Sequence, residues 1–166
     1  MAQTLLQFGL SASKGTLVRG SELPICQFYS STSSHSIVGG TAVKIVAGVG
    51  SAIQPTQVGE VTDDEDTAIY GVVVNNIRKG TRGVGDFVEV AVAGCEVIME
   101  ADGSISAGDQ VAFTPVASTP TTPALGTVST AASTKAVLGI AQESASASGD
   151  LIRVLITCAG SEHVAS

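Results

Sequence analysis

From residue 37 onward the chain is built of short apolar runs cut by small and polar residues. TAVKIV (41–46) alternates and is β-branched. DFVEVAVA (86–93) alternates too, with Phe87 on one face and Val88, Val90 and Val92 on the other. IYGVVV (69–74), EVIME (96–100), QVAFTPV (110–116) and the apolar runs within 136–142 and 151–157 read as further strands. Pro115 marks an edge or a strand end. No helical stripe is sustained anywhere, so the pattern predicts an all-β fold, a small barrel or sandwich.

The punctuation between runs is equally regular. A Gly, a small or acidic residue and a β-branched run recur as GTAVKIV (40–46), GDFVEVAV (85–92), GDQVAF (108–113) and GDLIRVLI (149–156). Gly permits a positive φ at the turn, and Asp or Thr can bond the neighbouring backbone N–H groups. Two of these follow an apolar-Gly-apolar strand, YGVVVNN and LGIAQES, which points to a repeated hairpin-like unit. The Ser-Ala-Gly bridge of residues 143–150 is read as a close-packing turn, not a place for chemistry. Asp102-Gly103 carries a hairpin signal. LGTVST (125–130) is expected to hairpin through AAST into residues 136–142, while Pro120 and Pro123 exclude helix before it.

Residues 1–36 keep neither period. They scatter Leu5, Leu6, Phe8, Leu10, Leu17 and Val18 among Ser, Gly and Thr, and are read as an N-terminal arm or lead-in. The expected division is an arm over 1–36, a β-barrel domain over 37–158 and a flexible tail over 159–166. An extended arm can add backbone hydrogen bonds to a neighbour's strand edge while its apolar side chains fill pockets. Deletion of residues 1–20 is therefore expected to leave the body folded.

Composition narrows the chemistry. Trp is absent and aromatics are 4%, so Val, Ile, Leu and Ala must fill the core. The net charge of −7 is uneven: residues 60–166 hold five cations against fourteen carboxylates. That disfavours sequence-independent nucleic-acid binding, because phosphates are repelled. No run approaches the roughly 18 apolar residues of a membrane-spanning helix. The N-terminus has no basic leader, and Cys26, Cys95 and Cys158 show no metal or disulfide spacing, as expected of a soluble protein made in a reducing cytosol.

Asp63, Asp64, Glu65 and Asp66 lack Ca-loop spacing and read as a solvated turn. Arg78, Lys79 and Arg82 do not form a phosphate loop; they are candidate contacts to an acidic partner surface. There is no G-x-S-x-G, and His35 and His163 lie in polar segments unsuited to holding a general base. No enzyme activity, metal or cofactor is expected.

Residues 69–157 resemble the head decoration, or structural cement, proteins of tailed bacteriophages. The resemblance lies in GVVVNN…GDFVEVAVAGCEVIM, then GSISAGDQVAFTPV, then VLGIAQESASASGDLIRVLI, in that order and spacing. It implies a β-barrel or β-tulip-like, non-enzymatic virion protein. Such a protein binds the major capsid protein on the outer surface of an icosahedral head, commonly as a homotrimer and sometimes as a dimer. It also implies that the leading segment helps grip the shell, which makes Leu5, Leu6, Phe8, Leu10 and Leu17 candidate contacts. The alternative is an all-β tail-associated or receptor-binding phage module. A carbohydrate-binding version of it would be expected to show more aromatics than Tyr29, Tyr70 and four Phe.

Overall fold

The computed structural model describes residues 13–20, 25–29, 36–46, 57–62, 69–75, 81–83, 85–116, 125–132 and 135–157. Their regular elements are all strands: β1 (Leu17–Gly20), β2 (Ile25–Tyr29), β3 (Ile37–Val38), β4 (Ala42–Val46), β5 (Gln57–Glu60), β6 (Ile69–Val73), β7 (Thr81–Arg82), β8 (Phe87–Ala91), β9 (Cys95–Glu100), β10 (Gln110–Val116), β11 (Leu125–Thr130), β12 (Val137–Ala141) and β13 (Leu151–Ile156). The fold is all-β. Strands β2–β5–β4–β6–β8 close a barrel, with β2 and β5 parallel at the seam and the other pairs antiparallel. A six-stranded antiparallel sheet runs β1–β9–β13–β12–β10–β11, and β3 pairs β7 in a short ribbon.

Without β1, the sheet reproduces the barrel strand for strand. β9, β10, β11, β12 and β13 stand where β2, β4, β5, β6 and β8 stand in the barrel. The register repeats as well. Val43 opposes Gly71 as Val111 opposes Gly139. Val73 opposes Val90 as Ala141 opposes Val154, and Ile25 opposes Val90 as Val97 opposes Val154. Ile45 opposes Val58 as Phe113 opposes Val128. The ribbon β3–β7, in which Ile37 opposes Arg82, has its counterpart, shifted by one residue, in the bridge Ile105–Ala145. Even the parallel seam returns: Tyr29–Val58 corresponds to a single parallel bridge, Ala101–Val128. Loop hydrogen bonds follow suit, with Gly40 N donating to Val73 O and Gly108 N to Ala141 O, both at 2.8 Å. The protein is thus two copies of one five-stranded unit. Unit 1 is a closed barrel and unit 2 a half-open one with β1 laid against β9.

Both units carry the same β-bulge. Lys44 opposes Ile69 and skips Tyr70; Ala112 opposes Val137 and skips Leu138. The extra residue resets the two-residue alternation, so Ile69 and Val72 share one face although three positions apart. That face is the outside of unit 1. Its inside holds Ile37, Val43, Val58, Val73, Val88 and Val90 as a separate cluster, flanked by half-buried Tyr70 and Val92. The outside residues Ala42, Val61, Ile69, Val72, Val74 and Ala91 belong instead to the larger cluster that fills unit 2 with Val97, Met99, Val111, Phe113, Leu138 and Ile156. Each of the Val, Ile, Leu, Met and Phe side chains contributes roughly 1.5–3 kcal/mol on burial, so the shared cluster binds the two units together.

Several expectations are corrected. The boundary at residue 36 does not divide the hydrogen-bond network, because β1 pairs β9 and β2 pairs both β5 and β8. Strand pairing uses backbone groups, so these short segments need no periodic side-chain signal. Residues 37–158 hold more than one barrel unit. Asp102-Gly103 does not close a hairpin, since β9 and β10 are not neighbours in the sheet. β11 does not hairpin into β12 either: β10 lies between them. Pro115 sits beyond the part of β10 paired to β12, where its missing N–H leaves no gap in that ladder.

Candidate partner-binding surfaces

The segment before β1 works as a strap across the two units. Gly15 N donates to Ile98 O of unit 2, and Asn75 N of unit 1 donates to Gly15 O, both at 2.7 Å. Asn75 Nδ2 donates to Ser13 Oγ at 3.0 Å. Gly15 has φ +79°, and a Cβ there would strike the backbone of Gly39 and Gly40. Lys14 reaches Glu100 at 3.8 Å; burial pushes its ammonium below the usual lysine range, and Glu100 partly offsets this. Leu17 opposes Val97 and packs half-buried on the larger core. Its place inside the chain leaves it little free surface for a partner. Deletion of residues 1–20 would remove this strap, so it is expected to lower the stability of the body.

Leu5, Leu6, Phe8 and Leu10 lie outside the described residues, as do Arg78, Lys79, the acidic run 63–66, His35, His163 and Cys158. Arg82 is placed by its backbone, opposite Ile37. Cys26 is placed on β2, and Cys95 is a buried free thiol. Among the described residues no three His, Cys, Asp or Glu side chains converge as metal ligands, and no helix is long and apolar enough to cross a membrane.

Sequence reasoning missed a different set of surface residues. Phe87 is 57% exposed and Leu151 36% exposed, and they are counterparts, each opening the strand after a Gly-Asp turn. Ile45, at the counterpart of buried Phe113, is 50% exposed. The signal was present in the Gly-Asp-apolar motif, whose first apolar residue points away from the barrel interior.

The bridge of residues 143–150 borders an open depression of about 750 Å³ lined by Glu143, Ser144, Ala145, Ser146, Gly149, Asp150 and Leu151. Its two carboxylates are engaged. Asp150 Oδ2 accepts from Ser146 N at 2.8 Å, Ser146 Oγ at 2.9 Å and Ala147 N at 3.0 Å. Those bonds, led by the Ser146 N–H, hold its carboxyl below the usual range. A depressed carboxylate stabilises the fold above the unfolded pKa, and that contribution is lost as pH falls through the folded value. Asp150→Asn is therefore expected to lower Tm at neutral pH, with the deficit shrinking at acidic pH. Thermal melts of both proteins from neutral to strongly acid buffer measure this; a deficit independent of pH would refute it.

Glu143 faces Arg153, whose Nε stands 3.0 Å from Glu143 Oε1, off the line of a directed hydrogen bond, so the contact is an ion pair. Arg153 Nη1 also lies 4.0 Å from Glu96, which is almost wholly buried. Removing the cation leaves a buried carboxylate without that partner. Fully buried pairs lose about 3–5 kcal/mol on such a change. The half-exposed Arg153 and the long contact to Glu96 reduce this, so Arg153→Met is expected to cost about 2 kcal/mol in urea unfolding.

Comparison with protein-family models gives no match, and comparison with curated proteins gives none.

Proposed function

We propose that the chain is a non-enzymatic capsid decoration protein. In this reading it binds the major capsid protein on the outer surface of an icosahedral phage head and stabilises the shell, as a homotrimer or dimer. One observation carries the proposal: the quoted decoration-like blocks fall on β6, β8, β9, β10, β12 and β13, so they include four of the five strands of unit 2 and the hairpin-like pair of unit 1. The quoted blocks therefore run through most of unit 2 and the β6–β8 pair of unit 1. Small cross-braced β units suit a cement, which must keep its shape while many weak contacts sum to tight attachment. Phe87 and Leu151 offer repeated apolar contact points, and Leu5, Leu6, Phe8 and Leu10 of residues 1–12 serve as the gripping residues.

The test is co-sedimentation with expanded, empty heads against host envelope material. Pelleting with heads supports the proposal; pelleting with envelope alone favours a tail-associated or receptor-binding module. Deletion of residues 1–12 is expected to weaken head binding at unchanged Tm, whereas deletion of 1–20 is expected to lower Tm as well, because it removes the Gly15 and β1 contacts. Unchanged head binding by the shorter deletion would remove the arm from the reading.

A further inference from the structure

Asp102-Gly103 closes no hairpin, and its place in the fold gives it a different chemistry. The other three described aspartates are engaged. Asp86 Oδ2 accepts from Gly83 N at 2.8 Å, Asp109 Oδ2 from Ser106 N at 2.9 Å, and Asp150 Oδ2 from Ser146 N and Ala147 N. Each is followed by the first residue of a strand, Phe87, Gln110 or Leu151, whose side chain shields the backbone nitrogen. Asp102 differs on every count. It is exposed, and its carboxyl makes no hydrogen bond or ion pair among the described residues. The residue after it is a glycine outside any strand, with no Cβ to shield the nitrogen. The Gly103 N–H donates to nothing among the described residues. A Cβ built on Gly103 would meet no atom within 4 Å, so the space around this peptide bond is open. No other Asp-Gly and no Asn-Gly occurs in the chain.

We propose that Asp102-Gly103 is a site of spontaneous isomerisation, at which the exposed aspartate becomes isoaspartate and loosens the seam of unit 2. With the carboxyl in its acid form, Gly103 N attacks Asp102 Cγ. A new N–Cγ bond closes a five-membered succinimide ring, and the amide proton and the carboxyl's hydroxyl leave as water. Water then adds back at one of the two ring carbonyls. Opening at Cγ restores aspartate. Opening at the backbone carbonyl leaves the main chain running through Cβ and Cγ, with the former backbone carbonyl as a free carboxylate. Only water is lost and regained, so no oxidant, reductant or other reactant is needed. The site adjoins the seam. Ala101 and Val128 form the single bridge that stands for the parallel seam of unit 1, and Asp102 N donates to Val128 O at 2.8 Å. Isomerisation lengthens the main chain by one carbon directly after that bond. Ala101 itself is held from the other side, by Ala101 N to Asp150 O at 2.8 Å and Gly149 N to Ala101 O at 2.9 Å. The change therefore falls on the contact with Val128. None of this rests on shell binding.

The full chain, held folded at neutral pH for weeks, is sampled by peptide mapping with a protease that cuts before aspartate but not before isoaspartate. Fragmentation mass spectrometry locates the product. Isoaspartate is expected to accumulate at residue 102, with no accumulation at residues 86, 109 and 150. Gly103→Ala, checked for folding by circular dichroism, is expected to slow the conversion by more than about tenfold, an added barrier of roughly 1.4 kcal/mol. Asp102→Glu keeps the charge and requires a six-membered ring, so it is expected to stop the conversion as well and replaces Gly103→Ala if that variant fails to fold. In the separated isoaspartyl chain, hydrogen exchange at Asp102 N–H is expected to speed up by more than about tenfold, while Gly108 N–H, bonded to Ala141 O, keeps its rate. A residue 102 that stays aspartate, equal conversion at all four aspartates, or an unchanged rate in the variant would overturn the site. Unaltered exchange at Asp102 in the isoaspartyl chain would overturn its link to the seam.

Discussion

Phe113→Ala is expected to destabilise the protein by about 3–5 kcal/mol, the range for truncating a buried aromatic. Phe113 is the largest of the fully buried side chains among the described residues and sits in the cluster that joins the two units. Its ring lies directly over Gly126, where a Cβ would overlap the ring atoms. Gly126→Ala alone is therefore expected to destabilise by overpacking, about 1–3 kcal/mol. The double variant should be less unstable than the sum, because the new methyl enters space the ring has vacated. Urea unfolding of the four proteins measures the coupling. Strict additivity would mean that the ring and the Gly126 backbone do not constrain each other.

The second large effect tests the duplication itself. Gly71 and Gly139 are counterparts on β6 and β12, and each lies under the neighbouring strand. A Cβ at Gly71 would overlap Ala91 O and stand 2.7 Å from Val90 Cγ1. At Gly139 it would overlap Leu155 O and stand 2.9 Å from Val154 Cγ1. Carbonyl oxygens in a paired ladder cannot move aside without breaking hydrogen bonds. Alanine at either position is expected to cost about 3 kcal/mol, the upper end of ordinary overpacking. The two losses should agree closely, because the obstructing atoms are the same. A large loss at one position and none at the other, in paired chemical-denaturation curves, would show that the two units do not share their packing.

The two effects differ in what they probe. Phe113 has no aromatic counterpart: Ile45 stands in its place in unit 1 and is half exposed. The units therefore share a backbone plan while differing in how their ends are filled.

The strands with clear alternation were legible directly. β8 reads from DFVEVAVA, with Phe87 outside and Val88 and Val90 buried, as the pattern predicts. β10 and β11 have the predicted limits. The Gly-Asp turns were legible because their chemistry is local: Gly85, Gly108 and Gly149 have positive φ, and Asp86, Asp109 and Asp150 each accept from the backbone N–H three residues earlier. β1, β2 and β5 were not legible. They are short and irregular in pattern, and their place is set by backbone edges that distant strands offer.

The sequence alone determined that the chain is all-β, where its strongest strands lie and where its turns bend, because each depends on residues within a few positions of one another. It also held the first trace of the repeat, in the Gly-Asp strands. Only the tertiary structure decided that the repeat spans a whole five-stranded unit, that β10 separates β11 from β12, and that one unit closes while the other opens against β1. Those outcomes depend on which strand edges and apolar faces meet across the chain, and side-chain period carries no information about that choice of partner.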